Sequence, residues 1–314
     1  MDPSPPLSFT HYFPLLHTTI VQGGFSASFK NCEIEKDLRV VYAKVDKNVF
    51  RSCKKELKAI LGESLIACLK HGYCHLHSLI VTYNIYEDER FGHLNDELQN
   101  QLLWAGLCHD LGKRGEVEFK GKDHIHPFRS AAYFIDILKN NNLIKDELRD
   151  KADELSELVF NAHTDIQYEW FLKEKEDSDG NICDQMHDHD KLDDIFKLLE
   201  EVADGDLFIK NVFVVILFHQ SIYGIKDYFP MKCLEDKEII KYREYLSEDV
   251  LNMLDIFMHC DSYAYSRVWA SYDLIQTYQQ QISDEIKRIK ADVLKIYSSK
   301  RCTDSEDFKQ ELYC

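Results

Sequence analysis

From Lys54 onward, apolar residues return every three or four positions, and that period constrains most of the chain to helix. "KKELKAILGESLIACLKHG" puts Leu57, Ile60, Leu61, Leu65, Ile66 and Leu69 on one face and stops at Gly72. Similar patterns cover roughly 75–89, 95–112, 127–140, 145–163, 191–201, 207–219, 235–266 and 271–298. Only 12 glycines and 6 prolines punctuate 314 residues, too few for the tight turns of an all-β sandwich. The expected fold class is therefore all-α, a bundle of about eight or nine helices, in a chain long enough to bury a sizeable core.

Three stretches depart from that pattern. Residues 1–50 carry "TTIVQGGFSASF" and "LRVVYAKVD", β-branched and aromatic residues around a Gly-Gly, which predicts a β-hairpin or a partly extended N-terminal arm. The principal helical domain is expected over 51–270, interrupted by an acidic insertion around 172–194. There "EKEDSDGNICDQMHDHDKLDD" (Glu174 to Asp194) has charge but no period. Residues 271–314 read as a long amphipathic helix and a tail. The apolar stripe of that helix is expected to pack on the domain, or else to serve a homo-oligomer.

Charge narrows the partners. The chain has 38 basic and 55 acidic residues, a net charge of −17, which repels nucleic-acid backbones and anionic membranes alike. A small anionic substrate remains compatible wherever basic residues cluster. The most apolar run, "VFVVILF" (Val212 to Phe218), is too short to span a bilayer, and "MDPSPPLSFTHYFPLL" is not a secretory signal. Ten cysteines occur singly without a CxxC pair, as in a reduced cytosolic protein, so a cytoplasmic location is expected.

The chemistry concentrates at "LLWAGLCHDLGKRG", Leu102 to Gly115, where an apolar helical run ends in His109 and Asp110 side by side. An imidazole and a carboxylate at the buried end of a helix are costly unless something binds both. Other metal-ligand residue types border apolar helix in the same way. His77 lies in "HLHSLIVTYNIY", His126 opens "HPFRSAAYFIDIL", His163 closes "SELVFNAHTD" and Asp261 lies in "LNMLDIFMHCDSYAYSR". Each alone has an ordinary explanation, such as a satisfied core histidine or a capping carboxylate. Five such positions gathered around a His-Asp pair point to a shared divalent cation.

On His77, "CHDLGK", "HPFRSA", "NAHTD" and the late Asp261, the chain resembles the HD superfamily of metal-dependent phosphohydrolases. The likeness covers roughly 70–165 and, more loosely, 250–270. It implies an HD-domain helical bundle in which His77, His109, Asp110 and Asp261 hold one metal. In subfamilies with two metals, His126 and His163 complete a second site and Asp110 bridges the pair. One or two transition-metal ions are expected, Mn, Fe, Ni, Co or Zn, with Mg an option at one site. A close pair of cations holds an activated hydroxide and neutralises phosphoryl oxygens as charge builds. Asp110, Lys113 and Arg129 are the residues expected to carry catalysis. Lys113, Arg114 and Arg129 are expected to bind the substrate's phosphate, because "KRGEVEFKGKDHIHPFR" is locally basic inside an acidic protein, and Arg267, further along the Asp261 segment, is expected to join them.

The expected activity is hydrolysis of a phosphate ester or anhydride in a nucleotide-like molecule, such as a dinucleoside polyphosphate, a nucleotide or a cyclic nucleotide. Two alternatives share the ligand set: a silent nucleotide-sensing HD module, and a di-iron oxygenase on the same fold. The single His163 followed by Thr164 departs from the HD-GYP group, which has a double histidine and a Gly-Tyr-Pro string. Tyr73, Trp104, Phe128, Tyr168, Trp170, Tyr263 and Tyr265 are aromatic candidates for stacking a base, most of them expected in the core. His75, His124 and His259 are neighbours that the resemblance does not select. His219, in "ILFHQSIYG", is weighed as a residue of the substrate cleft, with a core or capping role the expected one. "DSDGN" lacks the glycine and glutamate of a calcium loop.

Overall fold

The computed structural model describes residues 7–29, 38–70, 73–113, 125–165, 185–187, 189–222, 233–269 and 272–296. The chain is all-α, apart from a short antiparallel ribbon in which β1 (His163–Asp165) pairs with β2 (Gln185–His187). One contiguous core runs from Phe9 to Ile289.

The described part of residues 1–50 is helical, not a hairpin or an extended arm. α1 (Phe9–Tyr12), α2 (Pro14–Val21), α3 (Gly24–Phe29) and α4 (Leu38–Val45) follow one another, and α4 continues through a wide turn at Asp46–Phe50. The aromatic residues that suggested strand instead fill the core. Phe9 and Phe13 pack on the buried Trp104, with ring centroids 6.4 and 5.0 Å away, and Phe25 stacks on Tyr83 at 4.6 Å. Backbone ties reinforce this docking: the amides of Leu15 and Leu16 donate to the Glu56 carboxylate at 2.8 and 3.1 Å, at the start of α2.

α5 (Arg51–Lys70) bends at Gly62, whose φ of 55° and ψ of −131° suit glycine alone. α6 (Cys74–Glu87) and α7 (Asp96–Cys108) then form an antiparallel pair; Asn95 caps α7 by accepting from the Leu98 amide at 2.9 Å. α8 (His126–Asn140) begins with Pro127 in its first turn and packs on α9 (Arg149–Phe160). α10 (Leu192–Ala203) leads through Asp204 and Gly205, both at positive φ, into α11 (Leu207–Phe218). From Val212 to Phe218 every side chain of α11 is buried, as expected of a helix apolar on all sides, and it touches α7, α8 and α10.

The expected helix over 235–266 is broken in two. α12 (Asp236–Lys241) stops before "YREYLS", where Tyr242 and Tyr245 turn onto Phe196 at 5.0 and 4.0 Å. Ser247 then starts α13 (Glu248–Trp269), accepting from the Val250 amide at 3.3 Å. α13 lies against α6 and α11, and α14 (Tyr272–Arg288) covers α13 with Ile282 and Ile286, fully buried on its apolar stripe. No helix of the described residues is long and apolar enough to cross a membrane. The acidic 172–194 stretch lies largely outside the described residues.

Candidate metal centre

Two short loops and three helices converge beneath α11. His77 projects from α6, His109 caps the C-terminus of α7, and Asp110 begins the turn that follows. His126 is the first residue of α8, His219 caps the C-terminus of α11, and Asp261 lies within α13. Residues as far apart in sequence as His77 and Asp261, 184 positions, meet here at 2.8 Å between Nε2 and Oδ1. Asp261 Oδ1 also stands 3.7 Å from His109 Nε2.

The ligand-type atoms fall into two groups, each tight enough to enclose a cation: His77, His109 and Asp261, and Asp110, His126 and His219. Asp110 touches both. Its Oδ1 is 3.1 Å from His126 Nε2 and 3.6 Å from His109 Nε2, while its Oδ2 is 3.8 Å from His77 Nε2. That placement suits a carboxylate shared between two ions.

The histidines are oriented from behind. His109 Nδ1–H donates to the Gly106 carbonyl at 2.9 Å, and His219 Nδ1–H donates to the Ile216 carbonyl at 2.7 Å. Each bond leaves Nε2 as the atom turned into the centre, the arrangement that backs metal-bound imidazoles. His109 Nε2 is buried and makes no hydrogen bond. His219 Nε2 lies 3.3 Å from His126 Nε2. Two nitrogens bonded to one metal at about 2.05 Å in a tetrahedral arrangement stand about 3.3 Å apart, so this spacing fits a shared cation.

Electrostatics agree. Burial opposes ionisation of Asp110, yet Lys113, His109 and His126 outweigh it and hold the carboxyl well below its ordinary range. Burial likewise opposes Asp261, and the His109 and His77 imidazoles beside it drive its carboxyl well down. His77 is pushed down by burial, and His219 is lowered to about 3 by burial and its histidine neighbours, so it enters the centre neutral. His109 moves up: burial works against its charged form, but the carboxylates of Asp110 and Asp261 prevail. Two carboxylates face one ammonium, Lys113, and a bound cation would satisfy the remainder.

The turn after Asp110 explains "LGKRG". Gly112 N–H donates to Ser130 Oγ and the Gly112 carbonyl accepts from Arg129 Nε, both at 2.9 Å. A Cβ on Gly112 would sit 2.5 Å from the Ser130 amide nitrogen and 2.6 Å from Arg129 Cβ, so only glycine lets this turn lie on α8. Gly112→Ala should cost roughly 2–3 kcal/mol of unfolding free energy, because backbone must give way; denaturant unfolding would measure it. Arg129 is buried and braces this turn. Lys113 Nζ reaches Asp110 Oδ2 at 3.1 Å, with about a quarter of its side chain (23%) exposed.

Five of the six expected ligands fare differently from the sixth. His77, His109, Asp110, His126 and Asp261 come together. His163 does not end a helix: α9 stops at Phe160, and His163 lies in β1 opposite His187, with its side chain outside the described residues. His219 takes a place at the centre instead of a plain core or capping role, although it also caps α11. Arg114 lies outside the described residues, as do Tyr168 and Trp170. Arg267 lies on α13, its side chain likewise undescribed. Trp104 and Phe128 belong to the core. No family model matches the chain, and no curated protein or solved structure matches it either.

Proposed function

We propose that the chain is a metal-dependent phosphohydrolase of the HD type, acting on a phosphate ester or anhydride in a nucleotide-like substrate. The observation that supports this reading is the gathering of four imidazoles and the Asp261 carboxylate around Asp110, with a lysine beside them. The donor set of nitrogen and carboxylate oxygen suits Mn, Fe, Co, Ni or Zn, held by His77, His109 and Asp261 on one side and His126 and His219 on the other, with Asp110 between. A divalent ion bound there supplies a Lewis acid for phosphoryl oxygen and lowers the pKa of a coordinated water from about 16 towards about 7.

The protein's own groups do the rest. Lys113 sits at the rim, its ammonium within reach of Asp110 and partly open to solvent, placed to pair with a phosphate oxygen as negative charge builds there. Asp110 and Asp261 remain carboxylates and His219 remains neutral, so none of them needs to lose a proton before a ligand binds. Arg129 fixes the turn that aims Asp110 and Lys113.

Elemental analysis of purified protein should find one or two transition-metal ions per chain. Loaded protein should release phosphate or a mononucleotide from a member of a nucleotide panel. Absence of both metal and turnover would overturn the reading. Nucleotide binding without product would mark the silent module, and oxygen consumption the di-iron oxygenase.

A further inference from the structure

The way into the centre is visible from what stays exposed. His77, His109, Asp110 and His126 each leave no more than 3% of their side chains to solvent. Asp261 and Lys113 are the open members, at 20% and 23%. Among the described members of the centre, these two are the ones that solvent reaches.

A stacked aromatic pair lies one helical turn from His77. Tyr73 is the N-cap of α6, and its carbonyl accepts from the His77 amide at 3.0 Å. One helical turn thus separates Tyr73 from a proposed ligand, about 6 Å along the axis, and residues four apart share a helix face. Tyr42, from α4, stacks on Tyr73 with ring centroids 5.1 Å apart and 27° between planes. The Tyr42 phenol lies in the field of the same groups: burial raises its pKa, Lys113 lowers it, and Asp110 and Asp261 raise it again.

The two rings differ in burial. Tyr42 is buried, whereas Tyr73 is 49% exposed and is the one aromatic among the large hydrophobic residues left exposed in the described chain. A backed, half-open ring one helical turn from His77 is a ready surface for a second planar ring, since its orientation is already fixed.

We infer that Tyr73, backed by Tyr42, forms an aromatic rest for the planar ring of the substrate, making the centre selective for phosphorylated compounds that carry a nucleobase. This rests on the phosphohydrolase reading for the position of the phosphate. The competing role is structural, a clip joining α4 to α6, and it makes different demands.

The test compares AMP with ribose 5-phosphate, which keeps the phosphate and lacks the ring. Binding to the metal-loaded full chain is read by calorimetry as Kd, or as KM where a probe turns over. Wild type should prefer AMP roughly ten- to hundredfold. Tyr73→Ala should weaken AMP to the level of ribose 5-phosphate while leaving the latter unchanged, and Tyr73→Trp should retain the preference. Equal binding of the two probes to wild type, or equal weakening of both by Tyr73→Ala, would overturn the inference in favour of the clip. The two proposals fail separately. Tyr73-dependent AMP binding with no turnover of any nucleotide removes the hydrolase alone, and phosphate release without ring preference removes the aromatic rest alone.

Discussion

Asp110→Asn should leave the protein folded, hold less than about a tenth of the wild-type metal and lower phosphate release by about a thousandfold. The substitution keeps the side chain's shape, so the Gly112 turn and its bonds to α8 should survive. It removes the one negative charge that both ligand groups share, at 3.1 Å from His126 and within 4 Å of His77 and His109. It also strips Lys113 of its counter-ion. Asp261→Asn is the informative companion. Asp261 belongs to the His77–His109 group only, so its loss should spare metal held by His126, His219 and Asp110. Elemental analysis of the two variants separates these outcomes, and full metal content in Asp110→Asn would remove the basis for a shared centre.

Chelation should lower the melting temperature by roughly 6 °C. The sign follows from linkage: an ion that binds the folded chain and not the unfolded one stabilises the folded state, and its removal reverses that. Metal present at about a thousand times its Kd contributes about 4 kcal/mol, and each kcal/mol moves the midpoint of a protein this size by roughly 1.5 °C. Readdition of metal should restore the midpoint in a concentration-dependent way. Asp110→Asn should melt at the same temperature with or without chelator. A chelator-independent midpoint in the wild-type protein, with metal shown to be present beforehand, would mean that the ion lies outside the folded core.

Much of this was legible in the sequence because helix period and burial are local properties. The boundaries of α6, α8, α10 and α11 lie within two residues of those read from apolar spacing. His77, His109, Asp110, His126 and Asp261 stood out because polar metal-ligand types interrupt apolar helix there. The misreadings have physical causes. At the N-terminus the Gly-Gly suggested a hairpin turn, but Gly23, at φ 77°, ends one helix and Gly24 begins the next. What settles the segment is tertiary, the need of Phe9, Phe13 and Phe25 for the Trp104 and Tyr83 surfaces. The break between α12 and α13 carried a signal in "SED", a capping serine followed by two acidic residues, inside a run whose apolar period hid it.

His219 is the instructive omission. It ends the most apolar helix of the chain, where a capping histidine is the ordinary reading, and it does cap that helix. "LFHQ" nevertheless repeats the pattern of "LCHD": an apolar run, then a histidine at the helix end whose Nδ1 bonds back to the carbonyl three residues earlier. His163 drew attention away because the resemblance supplied a ligand at that point in the order. Its strand pairing with His187 depends on chain within the acidic stretch, which no local pattern reveals.

Those two backward bonds carry a further consequence. An imidazole tethered at its far nitrogen cannot turn over about its long axis without breaking that tether, so His109 and His219 offer the same edge whether or not an ion is there. Those two edges are thus set in advance, and little of the conformational entropy of these rings would be lost if a cation bound there. An ion bound there would have to match the two fixed edges in radius and bond angle, because those two rings cannot swing to meet a poorly fitting one.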